Sequence, residues 1–188
     1  MSNKIEIRQT IKPYNKKIEI EGDKSLSIRW ALLASQSIGK STSTNLLRSD
    51  DVLNTLNCLK KLGVKIYLSK NKCEIYGTGI NGYKYKKNIV LNAGNSGTLA
   101  RLIMGLLVHS KNKIKIIGDK SLSKRDFLRV TKPLEKFGAK FKTNFGKLPV
   151  VIKGTKNPIP VNYKENKGSA QCKSAVMLAA LNTKGKTI

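Results

Sequence analysis

The octapeptide Gly22-Asp23-Lys24-Ser25-Leu26-Ser27-Ile28-Arg29 is nearly restated at Gly118-Asp119-Lys120-Ser121-Leu122-Ser123-Lys124-Arg125, with seven of eight positions identical. Each copy follows a short β-type run, at 17–21 and 113–117, and precedes an apolar stretch with helical spacing. A strand, a turn with a small polar cap, and a helix opening with Lys and Arg make a ready anion site. Free N–H groups and the positive end of the helix dipole face outward there. One such octapeptide alone also fits ordinary Asp/Ser capping with solvated cations.

The surrounding sequence supplies a larger pattern. The runs Ile5-Glu6-Ile7-Arg8 and Ile18-Glu19-Ile20-Glu21 alternate with the period of half-buried strands, and Pro13 separates them. A helix is expected over about 25–37, with Ile28, Ala31, Leu32 and Ala34 on one stripe and Gly39 closing it. A polar Ser/Thr stretch, readable as strand or loop, leads to a helix at 52–62 capped by Ser49-Asp50-Asp51, then to strands at 64–68 and 72–76. A strand at 88–91, a helix from Gly94-Asn95-Ser96-Gly97-Thr98 to His109 and a strand at 113–117 follow. The second octapeptide is then expected to open a helix near 127–137, with strands at 140–143 and 149–152 after it.

Lys60-Lys61-Leu62-Gly63-Val64-Lys65-Ile66 and Glu135-Lys136-Phe137-Gly138-Ala139-Lys140-Phe141 are one phrase repeated 75 residues apart. The octapeptides lie 96 residues apart, so they are out of register with that repeat. The first opens the first helix of its unit, the second the second helix. A third unit begins at Ile159-Pro160-Val161, carries Gly168-Ser169-Ala170-Gln171 and a helix through Leu181, and reaches a strand at 186–188. Units of about 22–78, 79–154 and 155–188 leave the third short of a helix and a hairpin, the expectation for a truncated chain.

Charge is the compositional outlier: 37 Lys+Arg against 11 Asp+Glu give a net +26 over 188 residues. That invites a nucleic-acid reading. The lysines, however, are spread over the whole length, and aromatics, at 6%, are not interleaved with them as a base-stacking platform needs. Cys58, Cys73 and Cys172 are odd in number and far apart, so they read as reduced thiols without a disulfide framework or zinc site. His109 ends an apolar run and reads as helix-terminal. No targeting peptide and no bilayer-spanning run is visible, which points to a soluble, cytoplasmic protein.

The first helix of each unit opens on a small polar loop, at Gly22, Gly94 and Gly168. If the three units pack about a pseudo-threefold axis, these N-termini converge. With Lys24, Arg29, Arg101 and Arg125 they describe a pocket for a multiply anionic small molecule.

At Gly22-Asp23-Lys24-Ser25-x-Ser27-x-Arg29, Leu91-x-x-Gly94-Asn95-Ser96-Gly97-Thr98-x-x-Arg101, Gly118-Asp119-x-Ser121-Leu122-x-x-Arg125 and Ser169-Ala170-Gln171-x-Lys173-Ser174-Ala175 the chain resembles the enolpyruvyl transferases. The Gly-Asp-Lys-Ser and Ser-Ala-Gln signatures are similar to the branch acting on shikimate 3-phosphate. Two other readings stand beside it: the branch acting on UDP-N-acetylglucosamine, and a basic RNA-binding α/β module.

The resemblance implies an inside-out α/β barrel of βαβαββ repeats and transfer of the enolpyruvyl group of phosphoenolpyruvate to the 5-hydroxyl of shikimate 3-phosphate. It implies that Lys24 acts in catalysis and touches both substrates, that Ser25, Arg29, Ser169, Ala170 and Gln171 hold shikimate 3-phosphate, and that Asn95, Gly97, Arg125 and Gln171 line the phosphoenolpyruvate site. No metal or organic cofactor is implied. Glyphosate is implied as an inhibitor at the phosphoenolpyruvate site, since Gly97 carries no methyl group to exclude it. The family is monomeric at full length, with a second domain that packs with the first 21 residues and supplies the acid/base carboxylates, so this chain alone is expected to bind without turning over. The family usually has Pro where Asp126 follows Arg125, and an acid there is expected to weaken the anion clamp.

Overall fold

The computed structural model describes residues 6, 8, 10, 12–13, 15–18, 20–166 and 168–188. The strand expected at 5–8 therefore lies largely outside the described residues. In the second N-terminal run Ile18, Ile20 and Glu21 belong to no strand, and both isoleucines are exposed.

Asp23 starts α1 (Lys24–Gln36) by accepting the Leu26 N–H on its carboxylate at 2.7 Å. Such a cap is worth about 1 kcal/mol. Ile28, Ala31 and Leu32 lie on the buried side of the helix, as their spacing requires. The Ser/Thr stretch resolves as a strand, β1 (Ile38–Thr44), lying at a sheet edge with its side chains mostly in solvent. Hydrophobic alternation cannot reveal such a strand, because its backbone pairing rather than an apolar face holds it.

Next come α2 (Asp50–Lys61), β2 (Lys65–Leu68) and β3 (Lys72–Thr78). Asp50 and Asp51 stand in the first turn of α2 and Lys60 and Lys61 in its last, matching the dipole at both ends. β1 pairs antiparallel with β3 from Ile38↔Thr78 to Thr44↔Lys72, and β3 with β2, giving the order β1-β3-β2.

The second unit contains β4 (Ile89–Asn92), α3 (Gly97–Leu106), β5 (Ile114–Ile117), α4 (Leu128–Glu135), β6 (Lys140–Asn144) and β7 (Lys147–Lys153). Its sheet runs β4-β5-β7-β6, with β4 and β5 parallel and the other pairs antiparallel. Removing β4 leaves β5-β7-β6, the order of β1-β3-β2. The repeated phrase thus sits at the same point of both sheets: Gly63 (φ +89°) ends α2 and Gly138 (φ +98°) ends α4, each in the left-handed conformation that releases the chain into a strand.

The second octapeptide departs from expectation. It forms a 3-10 turn, Leu122–Lys124, separated from α4. Asp119 accepts the Leu122 N–H at 2.7 Å, as Asp23 does for Leu26, so the entry is the same. The continuation differs because Ile28, Ala31 and Leu32 are buried, whereas Lys124, Arg125 and Asp126 are exposed and give a further turn nothing to pack.

α5 (Ala170–Ala180) opens the third unit, with Ser169 Oγ accepting from Cys172 N at 3.3 Å. The strand expected at 186–188 is reduced to one parallel-type bridge: Ile188 N donates to the Val161 carbonyl at 3.0 Å and Tyr163 N to the Ile188 carbonyl at 2.7 Å.

The core is organised on α3. Nine of its ten residues are buried, Arg101 being the exception, so this helix is enclosed on all sides. It packs along α5, and at Gly105 the two backbones meet: a Cβ there would stand 2.2 Å from the Ala175 carbonyl oxygen. Phe127, Phe137, Leu59, Leu62 and Ile75 fill the space between helices and sheets. No helix among the described residues is long and apolar enough to cross a membrane.

Candidate functional site

Three arginines tie these helices together: Arg29 links α1 to α5, Arg101 links α3 to α5, and Arg125 lies against the start of α3. Arg29 reaches from α1 to Ser174 Oγ on α5 at 3.2 Å and is steadied by the Ser25 carbonyl at 3.2 Å. Arg101 donates to Gln171 Oε1 at 2.9 Å, to the Gly97 carbonyl at 3.4 Å and to the Asp126 carbonyl at 3.3 Å, with its guanidinium 5.1 Å from the Phe127 ring centroid. Gln171 completes the α3–α5 link by donating to Thr98 Oγ1 at 3.1 Å. Arg125 donates to Asn95 Oδ1 at 2.8 Å, and Asn95 in turn donates to the Asp119 carboxylate at 2.7 Å.

Gly97 lies beneath two of these cations. An ideal Cβ on it would meet Arg101 Nη1 at 2.6 Å and Arg125 Nη1 at 3.0 Å, so the missing methyl is what lets both guanidinium groups come down on the helix start.

All the oxygens that hold these arginines are neutral: carbonyls, an amide, a hydroxyl. Among the described residues none of the three forms an ion pair. The nearby acids are otherwise engaged. Asp23 and Asp119 cap backbone N–H groups, and Asp51 pairs with Lys24 Nζ at 3.2 Å. Asp126, expected to oppose the clamp, turns its carboxylate onto the Leu128 N–H at 2.8 Å just ahead of α4 and also acts electrostatically on Arg101.

Burial above all draws the Arg101 pKa below its usual value, and Arg125 and Arg129 push the same way. Arginine stays protonated regardless. The Asp119 carboxyl is held below its ordinary range, first by the Leu122 N–H, with Asn95 and Arg125 adding to it. A face with fixed cations outside any ion pair and helix N-termini attracts a compact, multiply charged anion.

The structure brings Arg29, Asn95, Gly97, Arg125 and Gln171 into this network. Ser169 and Ala170 enter it through backbone and cap, the Ala170 carbonyl accepting from Ser174 Oγ at 2.8 Å. Ser25 contributes its carbonyl, and Lys24 is directed to α2. The bridging partners Thr98 and Ser174 had no assigned role in the sequence. They act across 73 and 145 residues of chain, a distance no local motif reports. Clefts of about 280, 750 and 380 Å³ lie beside it, Gly22 lining the second and Asp126 and Arg129 the third.

The family model for EPSP synthase (3-phosphoshikimate 1-carboxyvinyltransferase) matches residues 8–188. A 3-phosphoshikimate 1-carboxyvinyltransferase of Paracoccus denitrificans is 40% identical over 178 residues, covering 94% of this chain and 40% of the relative. Another, of Vesicomyosocius okutanii, is 43% identical over 170 residues, covering 90% and 39%. An EPSP synthase structure from Acinetobacter baumannii superposes with a TM-score of 0.87 at 36% identity, covering 92% of this chain and 39% of that one. The chain thus spans about two fifths of the length of these relatives. The match decides against a UDP-sugar transferase or an RNA-binding module as the family.

Proposed function

Because this chain belongs to the EPSP synthase (3-phosphoshikimate 1-carboxyvinyltransferase) family, we propose that its arginine face binds the two anions of that reaction, shikimate 3-phosphate and phosphoenolpyruvate. One observation carries the reading: Arg29, Arg101 and Arg125 are each positioned by neutral oxygens and leave their charge to a ligand.

In this reading Ser25, Arg29 and the start of α5, with Ser169, Ala170 and Gln171, hold shikimate 3-phosphate. Asn95, Gly97 and Arg125 hold phosphoenolpyruvate. Gln171, already bonded to both α3 and Arg101, separates the two ligands, and Lys24 reaches both after leaving Asp51. The transfer adds the 5-hydroxyl to C2 of phosphoenolpyruvate as C3 is protonated, and phosphate then leaves. Fixed guanidinium groups favour the state in which charge gathers on the departing phosphate, since they are already in place. The acids near the face are committed to caps and to Lys24, so proton transfer to and from carbon falls to groups outside this network. Residues 1–21 would pack with a second domain and 22–188 form the substrate-binding one. Three free, buried cysteines support a reducing, cytoplasmic location.

Isothermal titration of the 188-residue chain with shikimate 3-phosphate tests the site. Lys24→Ala and Arg29→Ala should each weaken binding about tenfold or more, the worth of one charge-assisted hydrogen bond, while phosphate release from phosphoenolpyruvate stays at background. Binding that ignores both substitutions would refute the assignment.

A further inference from the structure

The parallel strands β4 and β5 end side by side, with Asn92 opposite Ile117, and the loops that leave them stay joined. Ala93 N donates to the Ile117 carbonyl at 2.9 Å and Asp119 N to the Gly94 carbonyl at 2.8 Å. Gly118 allows this closeness, since a Cβ there would stand 2.9 Å from the Gly94 carbonyl oxygen and 2.6 Å from Leu122 Cδ2. The backbone thus sets Asp119 beside Asn95.

The Asp119 carboxylate divides its two oxygens. Oδ1 accepts the Leu122 N–H at 2.7 Å, and Oδ2 accepts from Asn95 Nδ2 at 2.7 Å. Asn95 Oδ1 then accepts from Arg125 Nη2 at 2.8 Å. An ionised carboxylate only accepts and a guanidinium only donates, so the amide between them has one orientation that satisfies both neighbours. Arg125 is a long, exposed side chain, and this relay ties it to the start of α3.

We propose that Asp119 is a positioning residue for the anion site: it fixes the sense of the Asn95 amide and thereby the place of the Arg125 guanidinium. The inference rests on the assignment of Asn95 and Arg125 to phosphoenolpyruvate. In Asp119→Asn the new amide oxygen still caps Leu122 N, and its NH2 group faces Asn95 in place of Oδ2. Asn95 then meets a donor on both sides. Flipped or displaced, it no longer holds Arg125.

The same substitution deletes a negative charge near the anion, so its possible roles differ in sign. Charge alone predicts tighter phosphoenolpyruvate binding, and a capping role alone predicts no change. Positioning predicts binding weakened about tenfold, the worth of one charge-assisted hydrogen bond, with shikimate 3-phosphate affinity unaltered. Isothermal titration of the 188-residue chain with each anion measures this, and thermal melting checks that the variant is folded. Tighter or unchanged phosphoenolpyruvate binding overturns the proposal.

A measurement without ligand separates the inference from the reading beneath it. In NMR spectra of the cooled chain the Arg125 guanidinium N–H signals, assigned by their loss in Arg125→Lys, should be resolved in the wild type and averaged in Asp119→Asn. Signals averaged already in the wild type, or resolved in both, overturn the relay. A wild-type chain that shows the resolved signals and ignores phosphoenolpyruvate would instead refute the ligand assignment.

Discussion

Gly105→Ala sets two effects of opposite sign against each other. In a solvated helix alanine outranks glycine by about 1 kcal/mol, so propensity alone makes the substitution stabilising. At Gly105, however, the new Cβ would fall 2.2 Å from the Ala175 carbonyl oxygen and 3.0 Å from its carbon. Real contacts require more than 3 Å, so α3 and α5 must separate by nearly 1 Å. The obstacle is helix backbone, which cannot swing aside as a side-chain end can, and Leu102, Leu106, Cys172, Val176 and Ala179 are buried around it.

A gap of that width forfeits a quarter to a half of each dispersion contact across the interface, so overpacking here belongs near the upper end of its usual ~1–3 kcal/mol. The net loss is about 2 kcal/mol after the propensity gain. For a chain of this length that lowers the Tm by about 4–8 °C. Differential scanning calorimetry of the two proteins side by side measures it. An unchanged or raised Tm in Gly105→Ala would show that the helices are not in backbone contact.

Gly97→Ala should hardly change the Tm, because the atoms it meets are the mobile ends of Arg101 and Arg125. It should loosen phosphoenolpyruvate and glyphosate, glyphosate the more, in inhibition assays of the full-length protein; equal potency of glyphosate on both forms would refute it. Asp126→Ala removes the acceptor for Leu128 N and should cost about 1 kcal/mol in urea unfolding, whereas an acid that merely opposed the clamp would cost nothing. Burial pushes the Cys58 thiol up to about 11. The folded state keeps that proton after the unfolded chain has lost it, so its stabilising share is complete below the ordinary thiol pKa of ~8.5 and disappears as pH rises towards 11. Cys58→Ala should therefore be less stable at pH 7 and flatter between about pH 9 and 11; parallel curves would place the thiol in water.

What the sequence revealed was whatever local chemistry determines. Asp23, Ser96 and Ser169 start helices because each can accept an N–H three residues on, and Gly63 and Gly138 end them because only a left-handed residue releases the chain there. The repeated phrase at 60–66 and 135–141 was legible for the same reason. β1 was ambiguous because Ser and Thr on a sheet edge bury little. The second octapeptide misled because a cap fixes the entry to a turn while burial further on decides its length. Asp126 has a second partner that the sequence did not announce, the Leu128 N–H, beside its electrostatic effect on Arg101. The partners of Arg29 and Arg101 lie 145 and 70 residues away and could be found only once the helices were packed.

The contact between Gly105 and Ala175 also works as a fulcrum. Thr98 lies roughly 10 Å up the helix from Gly105, so a tilt of about 5° at the crossing would move it close to 1 Å against Gln171. The bonds of 2.9 and 3.1 Å that Gln171 makes would not survive such a shift. The spacing of the groups proposed to hold the two ligands is therefore gauged from the middle of the helix pair, by the absence of one methyl group well away from either ligand.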